Sequence, residues 1–69
     1  MIEVRVRKNN KGNDYRWCVE EFGYEYIGDT TSMWYNPDGL WYYDGYGHPW
    51  LSYYFVNAAD AMRFKLIWA

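Results

Sequence analysis

The side chains of this sequence best suited to acid–base or nucleophilic chemistry are one histidine, one cysteine and two serines. His48 lies in a Gly-Tyr-Gly-His-Pro stretch, with Asp44 four residues before it and Asp38 in the preceding turn. A carboxylate beside an imidazole could orient a general base or a metal ligand. Because there is no second histidine and no nucleophile motif, we interpret His48 as a surface loop residue. We predict no catalytic residue and no metal site.

Cys18 is the only cysteine, so neither a disulfide framework nor a CxxC zinc site is possible within the chain. It falls on an apolar stripe, and we therefore predict a buried core thiol rather than a reactive one. The six glycines are scattered at turns and do not form a phosphate-binding loop. The sequence thus predicts a protein that is not an enzyme and has no cofactor.

Residues 33–56 contain ten of the seventeen aromatic residues and no Lys or Arg. Asn36-Pro37-Asp38-Gly39 within this segment is typical of a β-turn, in which Pro sets φ and Gly adopts the left-handed φ that closes a hairpin. We predict that residues 32–35 and 40–43 are the two arms of that hairpin. After a looser connection over 44–49, residues 50–56 are predicted to form another strand, which gives an antiparallel aromatic meander.

The chain begins with a strand, because Ile2, Val4 and Val6 alternate with charged residues. Residues 14–22 fit either a helix or a strand, and we favour a helix that Asn13 or Asp14 caps and that ends at Gly23.

Residues 24–27 are predicted to form a short strand. Asn57 is predicted to cap a final helix over 58–68, in which Ala61, Phe64 and Trp68 form one apolar row. The alternative ends this helix near Arg63 and makes the last residues a strand. The predicted fold is α+β in the order β-α-β-β-β-α: one domain over residues 1–69, with an antiparallel sheet of three to four strands and two helices on one face.

Charge is distributed unevenly along the chain. The net charge is −2 in total, but residues 1–11 carry +3, residues 12–57 carry −6 and the remainder carries +1. A domain of this size buries little surface, so a homodimer remains possible. The sequence shows no apolar run that could span a membrane and no signal peptide, and we expect a cytoplasmic protein.

Two segments, Trp17-Cys18-Val19-Glu20-Glu21-Phe22-Gly23 and residues 55–68, resemble small uncharacterised proteins of tailed bacteriophages. Those chains close with an aromatic strand, an Asp or Asn cap and an Asp-Ala-x-x-Phe-x-Leu-x-Trp helix. The resemblance implies a phage origin, the cytoplasm of an infected bacterium, and a role in binding and inhibiting a host protein, including one of host defence. Residues 39–47 are similar to one unit of the aromatic hairpin repeats of cell-wall choline- or glucan-binding modules.

The chain has more aromatic rings than so small a core can bury, and we therefore predict a binding surface. Exposed apolar patches mark interaction sites, and Tyr and Trp dominate interface hot spots. We expect exposed members of one aromatic and acidic set to anchor in a host protein's groove: Trp34, Tyr35, Asp38, Trp41, Tyr42, Tyr43, Asp44, Tyr46 and Trp50. One alternative is single-stranded nucleic-acid binding by aromatics with Arg5, Arg7 and Lys8. The other is carbohydrate binding by Trp34, Trp41 or Trp50.

Overall fold

A computed structural model describes residues 1–45 and 49–69. Its elements are β1 Ile2–Arg7, α1 Asn13–Phe22, β2 Trp41–Asp44, β3 Trp50–Phe55 and α2 Ala58–Trp68. β3 is the central strand of an antiparallel sheet of order β1-β3-β2, and both helices pack on one face of it. The α+β class, the antiparallel sheet and the position of the helices are therefore confirmed.

The two faces of the sheet differ in the way that the alternation in β1 predicts. Val4 and Val6 are buried under the helices, whereas Glu3, Arg5 and Arg7 point to the open face and are exposed. The same face of β2 and β3 adds large aromatic rings, and the helices close over them. The resulting core contains Val4, Val6, Cys18, Trp41, Tyr53, Phe55, Ala61 and Phe64.

Residues 13–22 form a helix, which decides between the two interpretations of this segment. The predicted cap is wrong, since the N-cap position belongs to Gly12 and no side chain bonds there. The predicted end is confirmed. Gly23 has φ 83° and its backbone N–H bonds the carbonyl oxygen of Val19, a conformation that glycine adopts without the steric cost of a Cβ.

The final segment is a helix over Ala58–Trp68 and not a strand. Asn57 occupies the N-cap position in an extended conformation, although its side chain bonds Asp60 rather than a backbone N–H. Ala61 and Phe64 are buried and Trp68 packs against the same core, which confirms the predicted apolar row. Within the described residues, neither helix has the length and apolar composition needed to cross a bilayer.

The predicted strands at 24–27 and 32–35 are wrong. Among the described residues these segments form only an isolated β-bridge, between Ile27 and Asn36, and no strand. The order is therefore β-α-β-β-α. The chain turns instead at 29–35, where Asp29 accepts bonds from the backbone and hydroxyl of Thr31 and Ser32 accepts one from the backbone of Trp34. Short polar side chains that bond nearby backbone compete with strand pairing, and here they prevail.

The β-turn at Asn36–Gly39 forms, with the N–H of Gly39 bonded to the carbonyl oxygen of Asn36. It does not join two arms of a sheet hairpin, because the following strand, β2, pairs with β3. The predicted left-handed φ at Gly39 is wrong, because Gly39 does not have a positive φ. Glycine is required at this position for a different reason. A Cβ at Gly39 would overlap the backbone of Tyr26.

Candidate protein-binding surface

The structure separates the predicted binding residues into four groups. Trp34, Tyr35 and Asp38 lie exposed on the loop between α1 and β2, which we call the aromatic loop (residues 24–40). Half-buried Tyr42 and Trp50 lie on the open face of the sheet, and exposed Tyr43 and Asp44 end β2. Trp41 is in the core. Tyr46 is outside the described residues, as is His48.

Trp41 does not belong to the exposed set. Its side chain is 0% exposed, its ring stacks 6.0 Å from that of Tyr53, and its indole N–H donates to the carbonyl oxygen of Gly23. Inaccessible in this fold, Trp41 cannot contact a protein or a sugar. It stabilises the domain instead.

The aromatic loop encloses an open groove of about 560 Å³ against the side of α1. Met33 is 87% exposed, Tyr24 is 72% exposed and Trp34 is 69% exposed. Such exposure of three neighbouring large apolar side chains is characteristic of interaction surfaces. The groove is lined by Tyr15, Tyr24, Glu25, Ile27, Met33, Trp34, Tyr35 and Asn36.

Hydrogen bonds hold the aromatic loop in one shape. Asn36 pairs with Ile27 through both backbone groups, at 2.9 and 3.1 Å. Its side-chain amide also donates to the carbonyl oxygens of Tyr24 and Glu25, at 2.9 and 3.1 Å. The loop is tied to the sheet by the N–H of Tyr26, which donates to the carbonyl oxygen of Trp41 at 2.7 Å. Exposed rings on a fixed backbone lose little conformational entropy on binding.

Tyr24 and Met33, the most exposed of these anchors, were not predicted. Tyr24 directly follows the glycine that ends α1, and Met33 follows the Asp-Thr-Thr-Ser run whose side chains make turns. A large apolar residue placed immediately beside turn residues was the available signal. We did not use this signal because residues 24–27 and 32–35 were predicted to be strands. In a strand with one buried face, every second side chain would be buried.

The floor of the groove is polar at one point. The hydroxyl of Tyr15 donates to the Oε1 atom of Glu25 at 3.1 Å. Burial, followed by the negative charge of Glu25, raises the pKa of Tyr15 to about 12. Tyr15 therefore remains a protonated donor at neutral pH, and its hydrogen bond holds the carboxyl group of Glu25 in the lining of the groove.

The open face of the sheet offers a different set of rings. Tyr42 and Tyr54 stack on each other with ring centroids 4.7 Å apart and an interplanar angle of 16°, and the guanidinium of Arg5 lies 5.1 Å from the ring centroid of Trp50. Single-strand binders present ring faces to unpaired bases. Since Tyr42 and Tyr54 each cover a face of the other, one face of each ring is not available to stack on a base.

The described residues carry no cluster of His, Cys, Asp and Glu that could hold a metal ion. Cys18 is fully buried, and burial, with a smaller contribution from the charge of Asp14, raises the pKa of its thiol to about 12. A protonated and enclosed thiol is a poor nucleophile. The prediction that Cys18 is a core residue is confirmed.

Comparison with known protein families, curated proteins and solved structures gives no match to this chain.

Proposed function

We propose that this domain is a protein-binding module whose contact surface is the groove formed by the aromatic loop. The observation that carries the proposal is the exposure of Trp34, 69%, beside that of Met33, 87%. Tryptophan is one of the residue types enriched among interface hot spots, together with tyrosine and arginine. In the free domain, water covers most of this ring, and desolvating it in a partner's pocket would supply a large share of the binding free energy.

Charge supports a basic partner. Glu25 lines the groove, Asp29 and Asp38 are exposed on the same loop, and the hydrogen bonds from Thr31 keep the pKa of Asp29 below its usual value. Complementary charge steers encounter and disfavours acidic partners. On the resemblance to small phage proteins, the proposed partner is a protein of the host bacterium, which the module would inhibit by covering its surface.

A capture experiment tests this proposal. The immobilised domain is exposed to bacterial lysate, the retained protein is purified, and its affinity is measured by calorimetry for the wild type and for Trp34→Ala. If Trp34 is a hot spot, the affinity falls by about 2 kcal/mol or more, or roughly 30-fold in Kd. Circular dichroism must show an unchanged fold, as expected for a side chain outside the core.

Leu66→Ala is the matched control, because Leu66 is 79% exposed but lies on α2, away from the groove. It should leave the affinity unchanged. Loss of binding in Leu66→Ala with retention in Trp34→Ala would move the site to α2 and refute the proposal. Salt-sensitive quenching of tryptophan fluorescence by single-stranded DNA, with no protein captured, would replace it with nucleic-acid binding.

A further inference from the structure

The two edges of the sheet are not alike. β2 is partly covered along its outer edge, because the N–H of Tyr26 in the aromatic loop donates to the carbonyl oxygen of Trp41. β1 is the other edge strand, and no backbone group of the described residues bonds to its outer side. It pairs with β3 in an unbroken register over 6 residues and contains no proline. An edge of this kind can accept a further strand.

The register identifies the backbone groups that face outward from β1. In an antiparallel sheet, successive residues of a central strand bond alternately to the strands on either side. The N–H of Val56 bonds the carbonyl oxygen of Leu40, so even-numbered residues of β3 bond toward β2 and odd-numbered ones toward β1. Those odd-numbered residues are paired with even-numbered residues of β1. The N–H and carbonyl groups of Glu3, Arg5 and Arg7 therefore face outward.

The charged side chains of β1 are complementary to those of a second copy. Glu3 and Arg5 lie exposed on the open face, and within one chain the Nε atom of Arg5 lies 3.2 Å from the Oε2 atom of Glu3. If two β1 strands pair antiparallel about Val4, each Glu3 stands opposite the Arg5 of the other copy. The four side chains then form a square in which every carboxylate has a guanidinium on two sides. Opposite charges at cross-strand positions stabilise strand pairing, whereas like charges oppose it.

The apolar face of β1 fits the same arrangement. Pairing about Val4 sets the Ile2 of each copy opposite the Val6 of the other. Ile2 is 39% exposed in the single chain, and a recess of about 400 Å³ lies beside Val6, with Trp68 and Ala69 in its wall. The Ile2 side chain of a second copy would enter this recess, so the same register that pairs the charges also covers an exposed apolar residue.

We propose that β1 is the dimerisation edge of this domain and that it pairs with β1 of a second copy, antiparallel about a two-fold axis at Val4. The interface is isologous, so each contact occurs twice. The sheet becomes continuous, in the order β2-β3-β1-β1-β3-β2. A register centred on Arg5 is disfavoured, because it places the two Arg5 side chains directly opposite each other.

This interface is separate from the proposed protein-binding surface. The aromatic loop is tied to β2 through the N–H of Tyr26, and β2 lies at the opposite edge of the sheet from β1. A second copy and a bound protein can therefore be present together, and the dimer offers two grooves. Loss of one association should leave the other in place, so the two proposals fail separately.

Sedimentation velocity of the whole chain over a range of concentrations measures the association. One pair of short strands makes a small interface, so we expect half-dissociation at roughly 10 to 500 μM. The outward-facing amides of Glu3 and Arg5 should become more protected from hydrogen exchange as the concentration rises. The amides of Val4 and Val6 already bond to β3 and should not change. A chain that stays monomeric throughout this range overturns the proposal.

Charge reversal tests the register. Arg5→Glu brings four carboxylates together and should weaken the dimer about tenfold or more. The double variant Glu3→Arg with Arg5→Glu restores the alternating square and should recover dimerisation. Arg7→Glu is the matched control, because it makes the same change of charge on the same face of the same strand. Its position faces Met1 of the second copy, and the dimer should persist.

Circular dichroism must show the wild-type fold for each variant, as expected for side chains on the open face; should one fail to fold, the exchange pattern of the wild type decides. Equal dimerisation of Arg5→Glu and the wild type, or no recovery in the double variant, would overturn the proposal. So would a dimer that Arg7→Glu disrupts as strongly as Arg5→Glu does. Loss of the dimer in Trp34→Ala would place self-association at the aromatic loop and would refute the β1 edge as well.

Discussion

The indole N–H of Trp41 donates a hydrogen bond to the carbonyl oxygen of Gly23, with 2.8 Å between the two heavy atoms. This bond joins β2, an edge strand of the sheet, to the end of α1. Gly23 is the C-cap residue directly after the last helical residue, and a side chain from β2 provides the donor for its carbonyl oxygen. Trp41 thereby fixes the point at which α1 ends and the aromatic loop begins.

Replacing Trp41 should destabilise the domain rather than alter a surface. Trp41→Phe keeps an aromatic ring but loses the bond and part of the buried volume, and we expect a loss of about 2 kcal/mol in the free energy of unfolding. Urea denaturation followed by circular dichroism measures it. Trp34→Phe, at an exposed position, is the control and should change the stability by less than about 0.5 kcal/mol. Equal effects would contradict the burial of Trp41.

Tyr53→Phe should be neutral or stabilising, which is unusual for a fully buried residue. The hydroxyl of Tyr53 has no hydrogen-bond partner among the described residues, while its ring packs 4.5 Å from that of Phe64. Phenylalanine keeps the packing and removes an unsatisfied polar group. Thermal unfolding compares it with Tyr54→Phe on the open face. A loss of more than about 1 kcal/mol would show that the hydroxyl makes a bond in solution.

Stability should fall as the pH rises above the usual pKa of a thiol. The folded state holds the pKa of Cys18 at about 12, against a usual value of 9.0. Between these values the unfolded chain releases the proton and the folded chain keeps it, so the stabilisation present below pH 9 is lost as the pH increases. The slope from this one group approaches about 1.4 kcal/mol per pH unit.

Urea denaturation at several pH values from neutral to about 10 measures this slope, and Cys18→Ala is the comparison. The variant is less stable throughout because it leaves a small cavity, but its stability should depend less on pH over this range. Parallel curves for the two proteins would mean that Cys18 ionises equally in both states. Near pH 10 the tyrosines contribute as well, because the unfolded chain ionises Tyr15 around its usual pKa of 10.0 while the folded state holds that pKa at about 12. Both proteins share this contribution, so the difference between their slopes isolates Cys18.

Periodicity predicted the parts of the fold in which one face is plainly apolar. The alternation around Val4 in β1 and the spacing of Ala61 and Phe64 in α2 each allow only one face of the element to point to the core. In the structure, that face is the buried one. β2 is different, because Trp41, Tyr42 and Tyr43 are all aromatic and alternation cannot show which ring points inward. The pairing of Trp41 with Phe55 in β3 decides this orientation, and such a partner is invisible in a local pattern.

The candidate site was predicted only in part, because residue types can be read from the sequence but long-range hydrogen bonds cannot. Trp34 and Tyr35 were assigned to a binding surface because of their residue types, and the structure leaves both exposed. Their arrangement depends on Asn36, whose side-chain amide reaches back to residues 24 and 25. Bonds across eleven or twelve residues carry no periodic signal, so a strand was predicted where the chain makes turns.

Gly39→Ala should disrupt the aromatic loop while leaving the core intact. The backbone of Gly39 lies so close to that of Tyr26 that a Cβ would overlap the Tyr26 N and Cα atoms, and backbone atoms cannot move aside as a flexible side chain can. We expect the Ile27 and Asn36 amides to lose protection in hydrogen exchange, whereas amides of β3 keep theirs. Asp38→Ala, at an exposed position in the same turn, is the control. In this variant the loop amides and the β3 amides should be as protected from exchange as they are in the wild type. If the loop amides stay protected in Gly39→Ala, the close approach of the two backbones is not what holds the loop, and the fixed shape assigned to the binding groove loses its basis.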